Sequence, residues 1–451
     1  MRFGIFYEHQ LPRPWSDDSE RQLIQDALEQ VELADSLGIE HVWEVEHHFL
    51  EEYSHSSAPE VFLAAASQRT KGIRLGHGII QTAPGYNHPA RTAERVATLD
   101  LVSNGRVEFG SGESSSEAEL GGFEIDAVRK REAWREGLVA AIRCMTEVPF
   151  TGIDGEFVKM PPRNVVPKPV QKPHPPLWVA CSRRDTILLA AREGIGALTF
   201  AFIDPEEAET WVTDYHRTLA EEGVPIGEAV NAQVACVTPM MLGRTEEEAV
   251  AKGAEGGNFF GFSLAHYYVF GDHRPGETDV WQEYLRRRDE TGYSPDAVKE
   301  SLEGERLGAK IAAGDTTGLR GATGTVEQVR EFLRRYEECG VDQIIFVQQA
   351  GKNRHEDICE SLEVFGKEIL PEFKERDEKA RAEKARRLEP VLERVMARKT
   401  RDDVPPLPEG YSFPAIPKKM MQGNAEAEAF MEKLAESTAR GDRDGSLGIL
   451  G

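Results

Sequence analysis

From residue 2 to about 371, short runs rich in β-branched and aromatic residues alternate with longer stretches whose apolar residues recur every three or four positions. The short runs suit strands and the long ones suit helices with a single apolar stripe. Eight strand candidates can be counted: RFGIF from Arg2, HVWEV from His41, RLGHGII from Arg74, RVEFG from Arg106, LWVAC from Leu177, ALTFA from Ala197, NAQVACV from Asn231 and QIIFV from Gln343. Between them the spacing predicts helices over 20–37, 90–101, 133–145, 186–191, 205–219 and 326–336. In the first of these Leu23, Ala27, Val31 and Ala34 share a face, and Gly38 stands where a C-terminal cap belongs. Such alternation produces parallel strands covered by helices, and eight is the number that closes a barrel. The expected fold is α/β, a (β/α)8 TIM-type barrel. A doubly wound open sheet is the competing arrangement, because periodicity does not report closure.

Three segments depart from the rhythm. Residues 149–176 hold too many prolines for regular helix and predict an ordered excursion before the fifth strand. Residues 256–322, rich in glycine, aromatics and charge, read as a rim insertion, either a lid or a helical decoration. Phe259, Phe260, Phe262, Tyr267 and Tyr268 within it suit an apolar substrate or plain core packing. The barrel is thus expected over 1–371, followed over 372–451 by a charged helical run broken at Pro390, a Pro-rich stretch anchored by Tyr411, Phe413 and Ile416, and an amphipathic end around 425–439. This extension would wrap a neighbouring subunit or its own barrel, or stay disordered.

Composition narrows the classes. A formal charge of −24 opposes nucleic acid and anionic membrane surfaces. Five singly scattered cysteines lack zinc or dithiol spacing, and no stretch reaches a membrane span, so a reduced, cytoplasmic protein is expected.

Candidate chemistry falls at strand ends. In WEVEHHF, Glu46, His47 and His48 close the second strand candidate, where barrel strands deliver catalytic side chains. An imidazole beside a carboxylate makes an acid/base pair. Alternation along a strand sends His47 one way and its neighbours the other, and spacing alone leaves the two histidines equal. Metal binding is a rival, but no second cluster completes a shell, and no metal is expected. After the fourth strand, Gly112, Glu113, Ser114 and Ser115 offer a cradle of amides and hydroxyls. In LWVACSRRD the fifth strand runs through Cys181 into Ser182, Arg183 and Arg184 at a helix start, which suits phosphate.

With these blocks in place, about residues 1–371 resemble the bacterial-luciferase-like flavin-dependent monooxygenases. The carriers are the opening MRFGIF, WEVEHHF, RLGHGIIQTAPGYNHPARTAE, NGRVEFGSG, PPLWVACSRRDTILLAAREG, and GTVEQV before GVDQIIF. The resemblance implies an eight-stranded barrel that takes reduced FMN from a separate flavin reductase, activates O2 as a C4a-hydroperoxyflavin and oxygenates a small organic substrate. It implies His47 as the catalytic histidine with Glu46 and His48 as companions, and a non-prolyl cis peptide at Gly78 and Ile79 against the flavin ring. His88 would border the pocket, and Ser182 and the amides beyond would grip phosphate. Where luciferases carry an arginine for that phosphate, this chain has Glu113, so Arg183 or Arg184 is expected to supply the charge. A homodimer or homotetramer is expected. A deazaflavin-dependent oxidoreductase and a non-catalytic flavin-binding subunit are the alternative readings.

Overall fold

The computed structural model describes residues 1–199, 203–291, 321–400 and short stretches between 404 and 433. Eight parallel strands close into a barrel: β1 (Arg2–Tyr7), β2 (His41–Glu44), β3 (Arg74–His77), β4 (Val107–Ser111), β7 (Leu177–Cys181), β8 (Gly196–Thr199), β9 (Val234–Leu242) and β11 (Gln343–Val347). All eight grow from the strand candidates. Closure comes where β8 pairs with β9, β9 with β11, and β11 with β1 in the register Phe3 to Ile344. Residues 200 and 201, the end of the sixth candidate, lie outside the described residues. The added β10 (Ala322–Gly324) extends the far end of β9.

Alternation along each strand divides the apolar residues between two layers. Phe3, Ile5, Val42, Ile344 and Phe346 face the helices, whereas Phe6, Trp43, Ile345 and Val347 fill the barrel. Trp43 and Trp178 meet edge to face at 5.4 Å in the interior. Glycine opposite each ring makes this possible: a Cβ on Gly76 would lie 2.2 Å from Trp43, and one on Gly196 2.4 Å from Trp178.

The helices alternate as expected: α1 (Ser19–Leu37), α2 (Pro59–Arg69), α3 (Pro89–Val102), α4 (Glu117–Gly122), α5 (Lys130–Thr146), α6 (Arg184–Arg192), α7 (Pro205–Glu222), α8 (Glu246–Ala265), α9 (Val280–Thr291), α10 (Val326–Glu338), α11 (His355–Val364) and α12 (Leu370–Ala397). Among the described residues none is long and apolar enough to cross a membrane. The proline-rich excursion carries a two-stranded hairpin, β5 (Ile153–Asp154) with β6 (Lys159–Met160), and Lys168 from it caps α5 at the Cys144 and Glu147 carbonyls, both 2.7 Å away. The glycine- and aromatic-rich start of the 256–322 segment is helix: α8 runs into a π-turn over His266–Phe270, followed by α9. Residues 292–320 lie outside the described residues.

Helix α12 runs unbroken through Pro390, against the expected break. Proline in a helix interior costs about 3 kcal/mol; here Leu388, Val391, Leu392 and Val395 pack on the barrel core and offset it. Phe373 meets Phe3 edge to face at 5.2 Å, and Lys384 pairs with Asp342 at 2.6 Å. The compact unit runs Met1–Asp403, so the chain is continuous across 371, where composition placed a boundary. The remainder, Val404–Gly451, forms a second unit with helical pieces at 425–433, and Ile416 lies outside the described residues.

Candidate active site

Strand β2 ends at Glu44, so Glu46, His47 and His48 occupy the loop after it, and strand alternation does not govern them. His47 turns inward and is buried. Its Nδ1 lies 3.0 Å from Glu119 Oε1 of α4, and its Nε2 faces Glu8 Oε2 at 3.7 Å, one residue past β1. The Tyr268 hydroxyl, carried by the π-turn, stands 3.5 Å from Nδ1. Glu119 is further held by the Ser114 hydroxyl at 2.6 Å and by the His48 amide at 3.0 Å. Glu8 accepts from the Tyr53 hydroxyl at 3.0 Å.

Electrostatics fix the protonation state. Burial disfavours a charged His47, but the carboxylates of Glu119 and Glu8 outweigh it and push its pKa up to about 9. Burial raises Glu8 to about 7 against the pull of His47. Glu119 is held below the usual carboxylate range: burial works against its charge, and His47, Ser114 and the His48 amide overcome it. At neutral pH the site holds an imidazolium, a proton donor with both nitrogens protonated.

Glu46 and His48 have different tasks. Glu46 accepts from the Gln81 amide and from Asn87 Nδ2, both at 2.8 Å, and lies 3.2 Å from His48 Nε2, pegging the β2 and β3 loops together. His48 sits against an aromatic wall in which Phe123 packs on His48, Phe49 and Tyr86 at 4.9, 5.2 and 4.8 Å. Phe49 has φ 65° and is 55% exposed, held out over Gly122, where a Cβ would meet its ring at 2.6 Å. Of the insertion's aromatics, Phe259, Phe260 and Phe262 are core, while Tyr267 and Tyr268 lie against Tyr53.

The remaining expected residues divide. Ile79 packs on the barrel interior, and Gly112, where a Cβ would lie 2.8 Å from Ile79, brings the fourth strand close to the third. The Gly78–Ile79 peptide is not cis: every cis bond among the described residues precedes proline. Gly78 instead continues the ladder, its amide donating to Glu44 O at 2.6 Å. His88 is exposed and caps α3 through the Ala90 amide at 3.2 Å, so its neighbour Asn87 reaches the cluster in its place. Cys181 is buried, and burial pushes its thiol up to about 12. Ser182 and Arg183 are exposed at the start of α6, with Arg183 Nε 3.3 Å from Asp185. Arg184 is turned away and locked on Asp214. Glu113 pairs with Arg131 at 2.8 Å. The cation that reaches the serine loop is Lys130, on the Ser114 carbonyl and 2.9 Å from the Ser115 hydroxyl. Sequence reasoning missed Lys130, Glu8 and Glu119; the basic triplet Arg129-Lys130-Arg131 in an acidic chain was the available signal for the first.

These residues fit a flavin: the buried Gln81 Oε1 and Ser116 Oγ have no partner of their own, Ile79 offers an apolar face, and Lys130 with Ser114 and Ser115 suits a phosphate. The oxygenase component of a flavin-dependent trigonelline monooxygenase from Acinetobacter baylyi is 25% identical to this chain over 386 residues, covering 83% of this chain and 96% of that one. Monooxygenase RslO1 from Streptomyces bottropensis superimposes with a TM-score of 0.63 at 25% identity, covering 83% and 100% of the two chains. A coenzyme F420 dependent tetrahydromethanopterin reductase from Methanopyrus kandleri shares the fold, with a TM-score of 0.57 at 21% identity over 82% and 99%. The model of the luciferase-like monooxygenases matches residues 1–343, and the chain therefore belongs to that family of oxidoreductases.

Proposed function

We propose that this chain is the oxygenase of a two-component system, taking reduced FMN from a separate flavin reductase and inserting one atom of O2 into a small organic substrate. The observation that carries the reading is the buried imidazole of His47, held between Glu119 and Glu8 beneath Tyr268 at the barrel mouth. When bound, the flavin supplies the two electrons that let one oxygen atom enter the substrate while the other leaves as water. His47 presents a proton at Nε2, and Glu119 holds the ring in place through Nδ1. Tyr53 and Tyr268 cover the pair and exclude water. Lys130, Ser114 and Ser115 hold the phosphate, with Arg183 near enough to Lys130 to act on its charge.

The decisive experiment pairs anaerobic binding with isotope labelling. Reduced FMN should bind at least tenfold more tightly than a deazaflavin, and 18O2 should label the product; the relative's substrate, trigonelline, is the first compound to assay. Tighter deazaflavin binding, or binding of FMN without any oxygen transfer across a substrate panel, would overturn the reading.

A further inference from the structure

The π-turn over His266–Phe270 places Tyr268 on His47, and a second run of titratable side chains ties that turn to the loop that carries His47. Buried His266 directs Nε2 at Nδ1 of His273, 3.2 Å away, while its own Nδ1 stands 3.3 Å from Glu283 Oε2 of α9. His273 Nε2 lies 3.1 Å from Oε1 of Glu51, three residues past His48, with the Tyr267 hydroxyl 3.5 Å from the same nitrogen. Glu51 also accepts from the Gly276 amide at 2.8 Å and from Arg13 at 2.7 Å, and Glu52 beside it takes the Val280 and Trp281 amides at 2.6 and 3.1 Å. On the other side Arg287 of α9 pairs with Glu283 at 3.0 Å. The two imidazoles therefore bridge two carboxylates, one on α9 and one on the active-site loop.

Proton count decides whether that bridge holds. Four ring nitrogens make three contacts in series, Glu283 to His266, His266 to His273 and His273 to Glu51. Each contact needs one proton, because facing lone pairs repel and facing N–H groups clash. Three protons on the pair, one imidazolium between them, satisfy every contact. With two, a lone pair is left against a carboxylate or the other ring; with four, two N–H groups meet between the rings. Burial holds the His266 pKa below the ordinary histidine value against the pull of Glu283, and His273 and Arg287 depress it further, so the fourth proton enters only in acid. We propose that His266 and His273 are positioning residues: sharing one added proton, they latch the π-turn to the Glu51 loop and so hold Tyr268 over His47. The consequence for turnover rests on the oxygenase reading, whereas the latch itself does not.

Hydrogen exchange read by mass spectrometry on the full chain, without flavin or substrate, tests the latch apart from turnover. Over about pH 5 to 8, where imidazoles titrate, protection of the stretch 266–276, corrected for intrinsic rate, should pass through a maximum. It should fall by roughly tenfold on either side, the loss expected for a hydrogen bond to a charged group. His273→Gln can donate to Glu51 and accept from His266 but takes up no proton, so it should erase the acid limb and keep the alkaline one. Glu283→Gln can donate to His266 as well as accept from it, so it should erase the alkaline limb. A flat wild-type profile, or both limbs unchanged in the two variants, overturns the assignment.

Discussion

His47 Nδ1 lies 3.0 Å from Glu119 Oε1, although 72 residues separate the two in sequence. The contact makes Glu119 the chief source of the raised His47 pKa once burial has been overcome. Replacing Glu119 by Gln keeps the shape and removes the charge, so the basic limb of the turnover-pH profile should move to lower pH while the rate well below it is retained. His47→Ala should cost about 10²- to 10⁴-fold in turnover. An unmoved limb in Glu119→Gln would exclude this pairing as the origin of the profile.

Stability should carry the same signature. His47 rises from 6.5 to about 9 on folding, so its stabilising proton is fully present below pH 6.5 and lost as pH climbs through 9. Glu8, raised from 4.5 to about 7, acts in the same direction at lower pH, while Glu119, depressed, loses its contribution only in acid. Melting temperature should fall between pH 6.5 and 9, and His47→Gln should flatten that fall in a scanning-calorimetry series.

Phosphate binding separates two cations. Lys130→Ala should raise the dissociation constant for FMN by about 10- to 100-fold, the loss expected for a hydrogen bond to a charged group. Arg184→Ala, already committed to Asp214, should leave it nearly unchanged. Fluorescence quenching measures both, and the reverse order would return the role to the arginine.

Helix α5 approaches the loop after β3 through Gly137, where a Cβ would lie 1.8 Å from Thr82 O. Backbone cannot yield as a side-chain end does, so Gly137→Ala should destabilise the barrel by about 3 kcal/mol or more. Denaturant midpoints check this, and an unchanged midpoint would refute the contact.

Truncation distinguishes the two boundaries. A chain ending at Asp403 should melt near the full-length temperature, whereas one ending at Pro371 strips Phe373, Lys384 and Val395 from the barrel and should melt well below it.

Strands and helices were legible because their periods report burial, whereas closure of the sheet rests on the pairing of β8 with β9 and of β11 with β1, which no local period reports. His47 was legible as chemistry, but its facing was not, since β2 stops two residues before Glu46 and the loop obeys no alternation. Glu8 and Glu119 meet His47 only across the closed barrel mouth, a relationship no local pattern carries. Arg184 looked like the phosphate cation from its place beside a helix start, yet Asp214, 30 residues on, claims it. Pro390 misled because a local helix breaker was judged without the apolar packing that holds its helix.

Tyr268 owes its aim to the π-turn over His266–Phe270. Each residue of an α-helix turns the chain by about 100°, so the one extra residue in that turn sets which side chain points at His47. Deleting one residue from that turn would swing the side chains beyond it by about 100° and take the Tyr268 hydroxyl off His47.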